Sequence, residues 1–272
     1  MDKYMVLFGL DKPLHVQFYK YITETLKGNL GVSFMFTPTT VSEILLSRLY
    51  NTLILLVPAT IGSILLGMLL GIISSWKRGT KTDLTLQIFS ILFWSMPTFW
   101  LGMIFIVFFG RTFSTGGMVT AGLVHPDFLS YLNDLFRHMF LPSLTLMLIM
   151  HGQYFLVMRS QLTDVSTENF MLTAKAKGLT SYRILRHHGV PNAMLPMITL
   201  ISLNLAFLVA GFITIETVFS WPGLGELIYK AILFRDYPVL QGTMLLLAGV
   251  MLGTSYIADV LYAYLDPRIR YG

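Results

Sequence analysis

The sequence predicts an all-α, polytopic membrane protein, and three observations carry that prediction. Five stretches are apolar and long enough to cross a bilayer, each crossing needing about twenty residues. Charged residues make up only 12% of the 272-residue chain, against about a quarter in soluble domains, and the mean hydropathy is +0.67. The basic residues fall in short segments between the apolar runs, so the pI near 9.3 reflects membrane topology rather than a nucleic-acid surface. With no cysteine in the chain, a disulfide, a thiolate metal site and a cysteine nucleophile are all excluded. The 14% aromatic residues and 16 methionines are packing material and give no cofactor signal.

Taken in order, residues 1–47 form an N-terminal region ahead of the first span, and residues 48–272 form the transmembrane domain. Leu14, Phe18, Tyr21, Ile22 and Leu26 recur at helical spacing, which predicts an amphipathic helix from Leu14 to Lys27. A turn at Gly28-Asn-Leu-Gly31 and a loop through Pro38 follow. In Thr40-Val-Ser-Glu43 a hydroxyl cap and a first-turn acid open the approach to the first span. The first ten residues lack the basic start and the apolar core of a signal peptide.

The five predicted spans are Leu49–Ser75, Leu84–Phe109, Met139–Met158, Met194–Ile215 and Val239–Leu265. Pro58 and Pro97 lie inside spans and predict kinks, whereas Pro142, Pro191 and Pro196 are expected at or near helix starts. Ser63, Gly67 and Gly71 recur every four residues, as do Gly249 and Gly253, so close helix approach is expected on those faces. For the second pair chance is a fair alternative.

Lys and Arg between the spans set the orientation. Lys77, Arg78 and Lys81, then Arg159, Lys175, Lys177, Arg183 and Arg186, then Arg268 and Arg270 in the tail, outnumber Arg111, Arg137, Lys230 and Arg235 in the intervening loops. Loop 159–190 and the C-terminus are therefore expected in the cytoplasm, and residues 1–47 outside.

Within that loop Glu168–Lys177 reads as a short helix, Gly178 as a left-handed stop, Ser181 as the cap of a second short helix, and Pro191 as the start of the next long one. A helical hairpin bearing Lys175, Lys177, Arg183 and Arg186, with no catalytic constellation, suits a part gripped by another protein. The plainer alternative is a cytoplasmic loop made basic by the positive-inside rule. On the other side, Glu216-Thr-Val-Phe-Ser-Trp-Pro-Gly-Leu-Gly225 reads as a Pro222-Gly223 turn leading to an amphipathic helix, Leu224–Phe234, with Trp221 at interface depth.

Few ionisable residues lie within the spans. Asp259 is expected to snorkel or to pair with Arg159, and His151 to be hydrogen-bonded between helices rather than to act as a ligand or proton carrier. His187 and His188 are adjacent, so on a helix they point about 100° apart and make no metal pair. No catalytic, cofactor or metal residue is assigned.

The spacing of Ala174, Gly178 and Pro191 resembles the loop by which permease subunits of bacterial and archaeal ABC importers dock on their ATPases. The acidic residue usual at the head of that motif would fall on Leu172, which removes one polar contact. The Glu216–Gly225 string, the ending Asp259-Val-Leu-Tyr-Ala-Tyr-Leu-Asp266-Pro-Arg-Ile-Arg270 and Gly9-Leu-Asp-Lys-Pro13 are similar to dipeptide, oligopeptide and nickel importer permeases. The resemblance implies a type I ABC importer permease, with five spans here where the family usually has six. It also implies a multi-pass subunit of the prokaryotic cytoplasmic membrane, pairing with a sister permease, two ATP-binding subunits and an extracytoplasmic solute-binding protein. Thr173, Ala174, Lys175, Lys177, Gly178 and Pro191 would form the ATPase-docking loop, in a cytoplasmic docking hairpin at residues 161–190, and Trp221, Pro222 and Gly223 the extracytoplasmic turn. No phosphate-binding Gly-x-x-x-x-Gly-Lys-Ser/Thr string is present, so ATP is expected to bind elsewhere. Since nothing ahead of residues 1–47 starts their translocation, a further helix upstream is expected in the functional relative.

Two other functions compete. A secondary transporter or channel subunit would need coupling-ion sites in the membrane, and buried carboxylates are scarce. An intramembrane hydrolase would have Ser255 and His151 as its available pair, with no spacing that brings them together.

Overall fold

The computed structural model describes residues 12–208 and 213–265. Its elements are α1 (Leu14–Leu26), α2 (Val41–Trp76), α3 (Lys81–Trp94), α4 (Thr98–Phe109), α5 (Phe128–Val165), α6 (Asn169–Ala176), α7 (Ser181–Ile184), α8 (Val190–Leu208), α9 (Ile213–Val218), α10 (Leu224–Leu233) and α11 (Tyr237–Leu265). Among the described residues strand pairing is limited to one isolated bridge, Val32 with Thr40.

Three helices are long and apolar enough to cross a membrane, namely α2, α5 and the Tyr237–Ile257 part of α11. The α3–α4 pair becomes a fourth if counted as one broken span. The predicted span Met194–Ile215 falls on α8 and α9, with residues 209–212 between them outside the described ones. Helix α2 begins at Val41, where Thr40 Oγ1 accepts the Glu43 N–H as expected, so the helix starts ahead of the boundary drawn at residue 48.

The prolines act differently from one another. At Pro97 the chain does more than kink: α3 ends at Trp94, α4 restarts at Thr98, and the two axes are bent by 101°. Two features favour the break, since proline biases the preceding Met96 away from helical backbone and serves well just ahead of a new first turn. Pro58 and Pro142 instead lie inside the continuous helices α2 and α5. The expectation that Pro142 starts a helix is thus corrected, because α5 begins at Phe128. Its extra length is polar, carrying Asp134, Arg137 and His138, and hydropathy alone truncates it. At Pro191 the ring denies an N–H to the preceding turn, and a π-helical turn, Leu185–Gly189, carries α7 without interruption into α8. There the Asn192 side-chain amide donates to the His188 carbonyl at 2.7 Å.

The centre of the fold is the contact of α2 with α5. A Cβ on Gly67 would lie 2.6 Å from Tyr154 Cβ, and one on Gly71 would lie 2.8 Å from Met158 Cβ, so the Ser63-Gly67-Gly71 stripe is where the backbones approach. Gly249 and Gly253 face open space. One apolar cluster, with Leu55, Leu141, Leu146, Phe219 and Trp221, joins α2 and α5 to the 215–221 segment. A second, with Val41, Leu45, Leu224, Leu227 and Val239, closes the end where α2 begins. A third, with Tyr154, Met158, Ala193 and Met197, ties α5 to α8. The molecule therefore has a cap end, where α2 starts, and a hairpin end, where α2 finishes and α6 and α7 project.

Candidate functional site

At the hairpin end, Gly178 sits at φ +75° and ends α6. A Cβ there would meet nothing within 4 Å, so glycine is required by the backbone angle and not by space. The Gly178 N–H donates to the Lys175 carbonyl at 2.9 Å. Thr180, rather than Ser181, is the residue flanking α7, and it makes no side-chain cap bond. The hairpin has its own small core, in which Met171, Ala174 and Ile184 are buried against Val165 and Leu179. Its other face carries exposed Phe170, Leu172, Thr173, Lys175, Lys177 and Tyr182. Ala174 thus differs from its neighbours in the motif, because its methyl packs inward and is only 5% exposed. A cleft of about 300 Å³ separates the hairpin from the ends of α2 and α5, between Trp76, Leu162, Lys175 and Leu185.

Next to that cleft, Arg159 on α5 grips Asp83 on α3 with both arms, Nε to Oδ1 at 2.9 Å and Nη2 to Oδ2 at 3.0 Å. Asp83 also accepts from Ser74 Oγ, from the Gly79 N–H at 3.0 Å and from Gln87 Nε2 at 2.9 Å. Bidentate arginine–carboxylate geometry fixes direction as well as distance, so α2, α3 and α5 are clamped where they finish or begin. Sequence reasoning offered Asp259 as the partner of Arg159. The observed partner is Asp83, and the Asp259 side chain lies outside the described ones.

At the cap end, the string from Glu216 to Gly225 folds around a buried carboxylate. Glu216 Oε1 accepts from Thr52 Oγ1 at 2.8 Å, and Oε2 accepts from the N–H groups of Gly225 at 2.7 Å and Glu226 at 3.2 Å. These N–H groups belong to the first turn of α10, which leaves them without intrahelical partners and favours negative charge. Thr52 in turn accepts the Leu224 N–H at 2.8 Å. The glycines permit this approach, because a Cβ on Gly223 would collide with the Glu216 carboxylate and one on Gly225 would lie 2.6 Å from Ile213 Cα. Pro222 sits in a three-residue turn, with the Gly223 N–H donating to the Trp221 carbonyl at 2.7 Å.

Trp221 is a buried anchor: it is 0% exposed and its Nε1–H donates to the Asn51 carbonyl at 2.9 Å. Asn51 Nδ2 returns a bond to the Pro222 carbonyl at 2.9 Å. Beyond it Glu226 pairs with Arg48 at 3.2 Å and Lys230 at 2.6 Å. A further buried acid, Asp236, accepts from Ser33 Oγ and the Met35 N–H and caps α11 through the Val239 N–H. Thr52, Asn51, Glu216 and Asp236 were not singled out from sequence. The available signals were polar residues inside an apolar run and an acid at the end of one.

His151 is fully buried, but its Nδ1 bonds the Leu148 carbonyl of its own helix and Nε2 has no partner among the described residues. Among these it makes neither the expected inter-helix bond nor a pairing with Ser255. A carboxylate between two histidines also holds the loop before α5: Asp134 accepts from the Thr120 N–H and hydroxyl, both at 2.8 Å, with His125 Nε2 at 3.0 Å.

Comparison with known proteins gives one answer. Residues 63–271 match the family described as the inner membrane component of binding-protein-dependent transport systems. The chain is 39% identical over 266 residues to the glutathione transport system permease protein GsiC of Salmonella paratyphi A, covering 97% of this chain and 82% of that one. It is 33% identical over 273 residues to the oligopeptide transport system permease protein AppB of Bacillus subtilis, covering 99% and 85%. In fold it is similar to an inward-facing crystal form of the MetNI methionine ABC transporter, with TM-score 0.67 and 16% identity over 82% of this chain and 96% of that chain. Family membership sets aside the secondary transporter, channel and hydrolase readings and carries with it ATP-binding and substrate-binding partners. The chain belongs to the binding-protein-dependent transport system inner membrane components and is a multi-pass permease subunit of an ABC importer.

Proposed function

We propose that this subunit forms half of the pathway of a peptide-type importer beside a sister permease, with the α6–α7 hairpin as its handle for an ATP-binding subunit. One observation carries the second part. The hairpin buries Met171, Ala174 and Ile184 among themselves, yet leaves Leu172, Thr173, Lys177 and Tyr182 exposed, a mixture of apolar and basic side chains that suits a cleft in another protein. The basic loops favour a cytoplasmic hairpin end and an extracytoplasmic cap end, with residues 1–47 and the Trp221-Pro222-Gly223 turn on the outside. The likeness to GsiC and AppB, permeases of a glutathione and an oligopeptide system, favours a short peptide as the transported solute.

The test is Gly178→Val in the assembled transporter. A β-branched residue forced to φ +75° costs about 1–2 kcal/mol and reorients α6, although its Cβ meets nothing within 4 Å. Substrate-stimulated ATP hydrolysis and uptake should fall while the subunit remains inserted. Unchanged hydrolysis and uptake would remove the docking assignment.

A further inference from the structure

Helix α1 is built inside out for a protein surrounded by water. Leu14, Phe18, Tyr19, Ile22 and Leu26 are 82%, 67%, 73%, 38% and 81% exposed, and no residue of α1 is buried. Leu14, Phe18, Ile22 and Leu26 follow one another at intervals of four, a single ridge along the helix. The opposite side, which carries Lys20 and Glu24, is the more sheltered one, and Glu24 bonds Asn29 at 2.8 Å and Lys27 at 3.1 Å there. An amphipathic helix that turns its apolar ridge away from its own protein needs an apolar neighbour on that side.

The depth of α1 identifies that neighbour. Gly28, two residues past the end of α1, accepts from the hydroxyl of Ser42, the second residue of membrane-spanning α2, at 2.6 Å. The intervening loop is folded back by the Val32–Thr40 bridge and held to the start of α11 through Ser33 and Asp236. The C-terminal end of α1 therefore stands level with the first turn of α2, just ahead of the apolar run from Leu49, the level at which a headgroup layer would meet it. Lys12, Lys20 and Lys27 supply the positive charge that such helices present to anionic headgroups.

We propose that α1 is an interfacial helix whose Leu14-Phe18-Ile22-Leu26 ridge is seated in phospholipid beside the start of α2. This seat depends on α2 spanning the membrane and not on which side its N-terminus lies, so it stands apart from the orientation and docking proposals. Lipid contact of this kind holds the loop and cap that follow at a fixed height above the bilayer.

The absence of cysteine makes the test direct. Single nitroxide labels at Leu14→Cys, Phe18→Cys, Ile22→Cys and Lys27→Cys are read by power saturation in the assembled transporter, in liposomes containing an anionic phospholipid. The expected result is an oxygen-to-nickel-chelate accessibility ratio several-fold higher at positions 14, 18 and 22 than at position 27. Free access of the nickel chelate to the ridge positions would overturn the proposal. So would low access of both probes, since that means a protein partner covers the ridge. Three ridge positions keep the measurement decisive if one label prevents assembly. Labelling by a membrane-impermeant thiol reagent at position 27 reports orientation separately.

Discussion

At the cap end three acids, Glu216, Glu226 and Asp236, are nearly or fully buried, and each is bonded to residues from distant parts of the chain, Thr52, Arg48 and Ser33. The hairpin end buries only Met171, Ala174, Ile184 and Gly189 between residues 169 and 189, and turns its charges outward. The difference teaches which end is fixed and which is presented. A buried carboxylate with several donors has one good geometry, and leaving its donors unpaired is costly, so the cap behaves as one piece with α2, α10 and α11. The hairpin rests on the body through apolar contacts and the clamp beside it, and its exposed face is available to be gripped. Its coherence comes from its own small core and from Gly178.

The largest expected effect is at the cap. Glu216→Ala leaves two α10 N–H groups and the Thr52 hydroxyl without their acceptor, so it should destabilise the protein by about 3 kcal/mol. A marked fall in thermal unfolding temperature in detergent checks this, and an unchanged midpoint would mean that the cap is not held by that carboxylate. Arg159→Ala comes next, at about 1–2 kcal/mol, since Asp83 keeps Ser74, Gly79 and Gln87 as partners while Arg159 is partly exposed. Because the clamp adjoins the hairpin, its loss should reduce uptake more than it lowers the unfolding midpoint. An equal loss in both would blur the distinction between the two ends. The smallest effect has the opposite sign. Ser220 ends α9 at φ +45°, so Ser220→Gly should stabilise the cap by up to about 1 kcal/mol, read as a small rise in the same midpoint.

The first half of the hairpin was legible from sequence, because Gly178 is local punctuation at φ +75°. Pro191 and Ser181 were not the boundaries they promised, since a π-helical turn carries α7 past Pro191 and Thr180 flanks its start. The spans were legible as apolar runs, but their ends were not. Helix α5 reaches from Phe128 to Val165 since Asp134 and His138 are satisfied by neighbours, and a window of hydropathy sees only their polarity. The cap was recognised as a string, but the buried carboxylate it folds around was not. The acceptor of Trp221 is the carbonyl of Asn51, 170 residues away in sequence, which nothing nearby in the chain announces. Asp83 and Arg159 are separated by 76 residues, and no local pattern relates them.

The central claim is that one face of the hairpin is presented to an ATP-binding subunit while the other holds it together, and adjacent residues separate these roles. Thr173 is exposed and Ala174 is 5% exposed, packed with Met171 and Ile184. A photocrosslinking side chain at Thr173 or Lys177 in the assembled transporter should capture the ATP-binding subunit, and the same group at Ala174 should not. Capture at position 174 with none at 173 or 177, or no capture at any of the three, would contradict the account.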